Sequence, residues 1–228
     1  RGGDPVEDAT GVAWTTLARI EEEAGRMDAA RGAYSSCTKA APGFAAHPWM
    51  VLADHRATLS GQGLGEADAL AMAIAAEPHL ALELDARLRD ATARGMAESG
   101  RSLGLIRTQL ADTGRYYPEG QAGVVLLLAL ARTHLEANDP DAAAVTARRL
   151  LRDLPGFVPA LDTLGLAYLI QGRHEERFEV LLQVAESAGP QPVTLAALED
   201  TRDSLDDLPA DLLVRWMTVD PDFTGSME

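Results

Sequence analysis

GVAWTTLARIEEEAGRMDAARGAYSSCTKAAPGF, residues 11–44, is the stretch that decides the fold. Trp14, Leu17 and Ala18 lead into an apolar-to-polar run that ends at Gly25-Arg26, and Ala30 and Tyr34 follow before Pro42. Apolar and small residues at three- and four-residue spacing argue for a helix on each side of that turn. Pro42 stops the second helix, because proline lacks the amide donor and clashes with the preceding turn. The same order returns downstream. Trp49, Leu52 and Ala53 lead through Leu70 and Ala73 to Pro78, with about one extra residue in a turn around Gly61 to Gly65. Leu127, Leu130, Ala131, Ala143, Ala147 and Leu150 run to Pro155, and Leu161, Leu164, Gly165, Tyr168, Leu181 and Val184 run to Gly189-Pro190. From Leu127 to Leu161 is one 34-residue step. Between Pro78 and Pro118 the signature side chains are missing, but Leu103, Ile106 and Leu110 keep helical spacing, so a degenerate copy is expected there: a helix to about Glu98, a turn at Ser99-Gly100, and a second helix to about Gly114.

The order Trp, Leu, small, Ala, aromatic, Pro at these internal spacings resembles the tetratricopeptide repeat, a family of helical hairpins that stack on one another. The resemblance implies an all-α fold, a right-handed α-solenoid of about five such hairpins at about 11–44, 45–80, 81–120, 124–157 and 158–191. A capping helix pair follows at 193–219. The whole forms one array over 11–220, flanked by a disordered or extended segment at 1–10 and a tail at 221–228. In this family the residue at the fourth position and the Leu at the seventh fill the space between the two helices of a repeat. Small residues, here Ala18, Ala53, Ala131 and Gly165, stand where helices approach most closely. Turn formers support the same boundaries without the family. Asn138-Asp139-Pro140 and Gln171-Gly172-Arg173 each follow an apolar run, and Asp139-Pro140 fits a helix cap followed by proline at the first helical position.

Composition points the same way. Hydrophobic residues make up 46% of the 228 residues but aromatics only 5%, a balance suited to closely packed helices. A formal net charge of −15 opposes binding to nucleic acid and to anionic membrane surfaces, and it favours either plain solubility or a basic partner. Acid concentrates at Glu199, Asp200, Asp203, Asp206, Asp207 and Asp211. Cys37, the one cysteine, has no second thiol for a disulfide or a metal site, and its place in a second helix suggests a buried thiol. The longest apolar run, Val124 to Ala131, is too short to span a bilayer, so a soluble segment, cytoplasmic or periplasmic, is expected. The numbering opens at Arg1-Gly2-Gly3-Asp4 without Met, which suggests a start at a processing site or at an artificial boundary.

Repeats of this family usually bind with the first helix of each hairpin. Carried over by register, the positions that line such a concave groove include Arg19, Met50, Asp54, Leu128, Arg132, Leu135, Asp162, Leu166, Leu169 and Ile170. Val12, Thr15, Glu22 and Pro159 fall at the same register positions. Members that clamp a chaperone's terminal carboxylate present lysines, asparagines and an arginine there; here that set is missing, with Arg19 and Arg132 the only cations among the positions carried over. What remains is partly apolar and suits an amphipathic helix or an extended segment, with packing against the next helix as the alternative. Tyr116-Tyr117 forms the densest aromatic cluster, read as an interface or a turn contact.

Chemistry is not visible. His47, His55, His79, His134 and His174 stand singly, with no helical metal-ligand spacing. Arg173-His174-Glu175-Glu176 reads as a helix start whose acidic residues suit the dipole. Gly61-Gln62-Gly63-Leu64-Gly65 lacks the Lys-Ser/Thr of a phosphate loop and is read as a long turn. The expected function is therefore a scaffold or adaptor for protein–protein interaction that binds a basic or amphipathic partner peptide or helix, with no cofactor, metal or catalysis. The alternative is the interaction domain of a larger enzyme or of an envelope assembly machine for pilus, secretion or cytochrome biogenesis. Homo-oligomers through terminal repeats are compatible with the resemblance.

Overall fold

The computed structural model describes residues 5–40, 46–100, 123–205 and 207–220. Among them all regular structure is helical: α1 (Pro5–Glu23), α2 (Met27–Ala40), α3 (His47–Ala57), α4 (Gly63–Ala76), a short 3-10 turn (Pro78–Leu80), α5 (Ala81–Ser99), α6 (Gly123–Glu136), α7 (Pro140–Asp153), α8 (Val158–Ile170), α9 (His174–Ala188), α10 (Pro192–Arg202) and α11 (Ala210–Val219). Proline stands in the first turn of α3, α7, α8 and α10, where its fixed φ is already helical and its missing N–H costs nothing. At α7 the expected cap is in place, with the Asp139 carboxylate accepting from Ala142 N at 3.0 Å. Asn138 just before it has φ +58°, a left-handed conformation its short polar side chain tolerates. Replacing Asp139 with Ala is expected to cost about 1 kcal/mol, read as a lower urea midpoint at unchanged m value.

The chain divides into two compact units, Arg1–Leu126 and Leu127–Glu228, with the division falling inside α6. In the first unit α1 packs on α2, α3 on both of them and on α4, and α4 on α5. Its interior is built from Ala18, Ala30, Tyr34, Trp49, Leu52, Leu70, Ile74 and Leu88. The Tyr34 and Trp49 rings lie 5.5 Å apart. In the second unit α8 packs on α7 and α9, and α9 also holds α10 and α11. There Phe178 and Leu182 of α9 meet Leu198 of α10 and Leu212 and Trp216 of α11, with Phe178 edge-on to Trp216 at 5.3 Å.

Several sequence expectations need correcting. Helix α1 begins at Pro5, so the extended segment expected over 1–10 is helical from there. Leu17, expected in the space between α1 and α2, is 41% exposed, and Trp14 is only half-buried. The buried face of α1 is instead Gly11, Thr15, Ala18 and Glu22, because α1 turns its small residues toward Cys37 of α2. The Cys37 thiol donates to Gly11 O at 3.5 Å and lies 3.9 Å from Thr15 Oγ1. Gly63 and Gly65 are not turn residues either. They sit in the first turn of α4, both buried, and a Cβ on Gly63 would lie 2.5 Å from Gly95 N on α5. Gly63 and Gly95 let α4 and α5 touch backbone to backbone, while Gly65 leaves room for the Arg56 side chain, 3.1 Å from where its Cβ would lie. Gly165 is under no such demand, since a Cβ there would meet Val180 Cγ1 at an ordinary 3.7 Å. Pro42, the second helix expected over about 101–114, Tyr116-Tyr117, Pro118, Asp206 and the tail at 221–228 lie outside the described residues.

Candidate functional site

In the first unit the expected groove positions meet an ionic network. Glu22 of α1 is 4% exposed and accepts from Arg56 Nε of α3 at 2.9 Å; Arg56, 3% exposed, also donates to Gly65 O at 2.7 Å. One helix further, Glu66 of α4 is 2% exposed and pairs with both Arg87 (2.9 Å) and Arg94 of α5, while Arg87 reaches Asp54 of α3 at 2.8 Å. Gly63 N donates to Glu98 Oε2 at 2.9 Å. Charges this buried persist because each has a partner of opposite sign in hydrogen-bonding geometry. Burial pulls Arg87 toward lower pKa, but its hydrogen bonds to Glu66 and Asp54 outweigh this and hold it above the ordinary guanidinium value. The Tyr34 hydroxyl, buried and close to Glu22, is pushed well above the usual phenol range, first by burial and then by the Glu22 charge. Burial likewise raises the Cys37 thiol, which the hydrogen bond with Thr15 offsets only in part.

Of the groove positions in this unit, Asp54 is therefore engaged by Arg87, Met50 is half-buried and Arg19 is exposed. Thr15 and Glu22, read as groove-lining by register, are buried at 8% and 4%, as the turn of α1 toward Cys37 requires.

The second unit is different. Helix α8 is apolar almost all round, and its packing divides it in two. Leu161, Leu164, Ala167 and Tyr168 are buried, Tyr168 between Arg173, whose guanidinium lies 4.6 Å from the ring centroid, and Arg148, which donates to its hydroxyl at 3.1 Å. The opposite side leaves Leu166 52%, Leu169 38% and Ile170 50% exposed. Their spacing of three and four residues places them on one stripe, with exposed Asp162 a turn earlier. Arg132 and Leu135 of α6 are half-buried. Leu128 is only 2% exposed and Pro159 is buried, so both serve packing and present no surface to a ligand. The structure thus brings Asp162, Leu166, Leu169 and Ile170 together. Arg19, Met50 and Asp54 belong to the other unit and are not part of this stripe.

Such a stripe offers desolvation and little else. Covering the exposed halves of three aliphatic side chains contributes on the order of 1 kcal/mol each, enough to anchor a partner segment when polar contacts add orientation. Among the described residues no group of three or more His, Cys, Asp or Glu side chains is placed to hold a metal ion. None of the described helices is long and apolar enough to cross a membrane. Sequence reasoning missed the Glu22–Arg56 and Glu66–Arg87–Arg94 pairs. The one local signal was Glu66, which with Asp68 is a charge within the otherwise apolar stretch 63–76, but the partners stand up to 34 residues apart. No family model and no curated protein sequence matches this chain.

Proposed function

We propose that this chain is a protein–protein interaction module, a tetratricopeptide-type helical scaffold in which successive hairpins form a right-handed solenoid, and that it catalyses nothing. Its partner segment docks on the exposed stripe of α8. Support for the repeat comes from the 34-residue recurrence, the helical hairpins found at most of its copies, and the burial of Ala18, Ala53 and Ala131 at the small positions. The single observation that carries the docking site is that Leu166, Leu169 and Ile170 remain exposed on a helix whose other side is fully packed. Three aliphatic side chains at helical spacing suit a complementary helix or an extended apolar segment, whose own side chains fill the same stripe. The chain's charge of −15 makes that partner neutral or basic.

Leu166→Asp with Ile170→Asp tests this reading. Both side chains are at least half exposed, so thermal stability is expected to change by less than about 0.5 kcal/mol for each. Affinity purification followed by mass spectrometry should lose one or a few proteins that the parent chain recovers. Recovery of the same set by both proteins, with the fold intact, would rule the stripe out. Leu128 is unsuitable for this experiment, since a charge at a 2% exposed position unfolds the helix around it.

A further inference from the structure

Helix α11 is anchored from one side by Leu212 and Trp216, yet its outer side is not polar. Ala210, Val214 and Met217 recur at helical spacing and are exposed, Val214 by 62% and Met217 by 48%. The charge around them is mostly negative. From Pro190 to Asp220 the sequence carries seven carboxylates and two guanidiniums. Both guanidiniums are engaged: Arg215 donates to the two Glu186 oxygens at 2.8 and 2.9 Å, and Arg202 pairs with Asp203 and lies 5.8 Å from the Trp216 ring centroid. Asp207 and Asp211 remain exposed at the N-terminal end of the stripe.

We propose that this face of α11 docks a basic amphipathic helix of another protein, with aliphatic side chains on Val214 and Met217 and lysine or arginine heads at Asp207 and Asp211. Charge selects this occupant. A second copy would bring its own surplus of carboxylates against these, and an anionic membrane surface would be repelled in the same way. The site is separate from the α8 stripe and does not depend on it.

The probe is a synthetic amphipathic helix of about 14 residues made of leucine and lysine, titrated into the methyl-labelled full chain alongside its leucine and glutamate counterpart. The lysine peptide should shift the Val214 and Met217 methyls saturably while leaving those of Leu166 and Ile170 in place, and the glutamate peptide should shift neither pair. Asp207→Asn with Asp211→Asn should weaken binding about five-fold at low salt, and raising the salt should erase that difference. Val214→Asp separates docking from mere attraction between opposite charges. It adds a carboxylate but removes the apolar contact, so binding is expected to be lost, whereas charge alone would make it tighter. An unchanged near-ultraviolet spectrum, to which Trp216 contributes together with Trp14 and Trp49, shows that the variant is folded. Equal or tighter binding by Val214→Asp overturns the proposal, as do shifts confined to the α8 methyls, equal binding of the glutamate peptide, or self-association at these methyls without peptide.

Discussion

Gly95→Ala is expected to destabilise the N-terminal unit by about 3 kcal/mol, because the added Cβ has nowhere to go. Built on the existing backbone it would lie 2.1 Å from Leu64 N and 2.6 Å from Gly63 C. Both are main-chain atoms, and neither moves without parting α4 from α5. Parting them also pulls Glu66 away from Arg87 and Arg94, so the steric cost and the loss of ion pairs reinforce one another. Gly32→Ala in α2 is the matched control. It is exposed and helical, with open space where its Cβ would sit, so alanine there should stabilise by about 0.5 to 1 kcal/mol through helix propensity alone. Urea unfolding of the two variants should move the midpoint in opposite directions. Similar midpoints would mean that the Gly63–Gly95 contact is looser than described.

Arg56→Met should cost about 3 to 5 kcal/mol, the usual penalty for leaving a buried charge without its partner. Two acceptors are stranded together: the Glu22 carboxylate, 4% exposed, and Gly65 O, which Arg56 reaches at 2.7 Å. Replacing both partners, Glu22→Leu with Arg56→Met, should recover most of the loss, since a buried ion pair exchanged for apolar residues of similar volume is often neutral. Chemical denaturation of the single and double variants checks both parts. A double variant as unstable as Arg56→Met would show that the side chains' shape, and not their charge, holds α1 to α3.

What the sequence revealed and what it hid follow from different physics. Helix ends were legible because their signals are local: Asp139 caps within three residues and proline acts on its own φ, so α7 begins where the dipeptide says it does. The side of a helix that faces inward was not always legible. In α1, spacing alone is satisfied by Trp14 with Leu17 or by Gly11, Thr15 and Ala18; contact with Cys37 across α2 chooses the second set. Gly61 to Gly65 reads as a turn by composition, but Gly63 is glycine because α5 lies against it, and Gly65 because the Gln62 and Arg56 side chains do. The ion network escaped notice for the same reason, since Glu22 meets Arg56 only once α1 and α3 are side by side. At α8 the difficulty is the reverse. The sequence is apolar on every side, and only packing shows that Leu161 and Leu164 go inward while Leu166 and Ile170 stay out.

A partner seated on the exposed stripe of α8 lies within crosslinking reach of Ile170. A photo-crosslinking amino acid placed at Ile170 is compared with one at Val145, which is 63% exposed on α7 and belongs to neither the α8 nor the α11 stripe. Irradiation in the native host should give discrete adducts with one partner at position 170 and none of that species at position 145. Adducts of the same species and yield at both positions, or at neither, would contradict docking on α8.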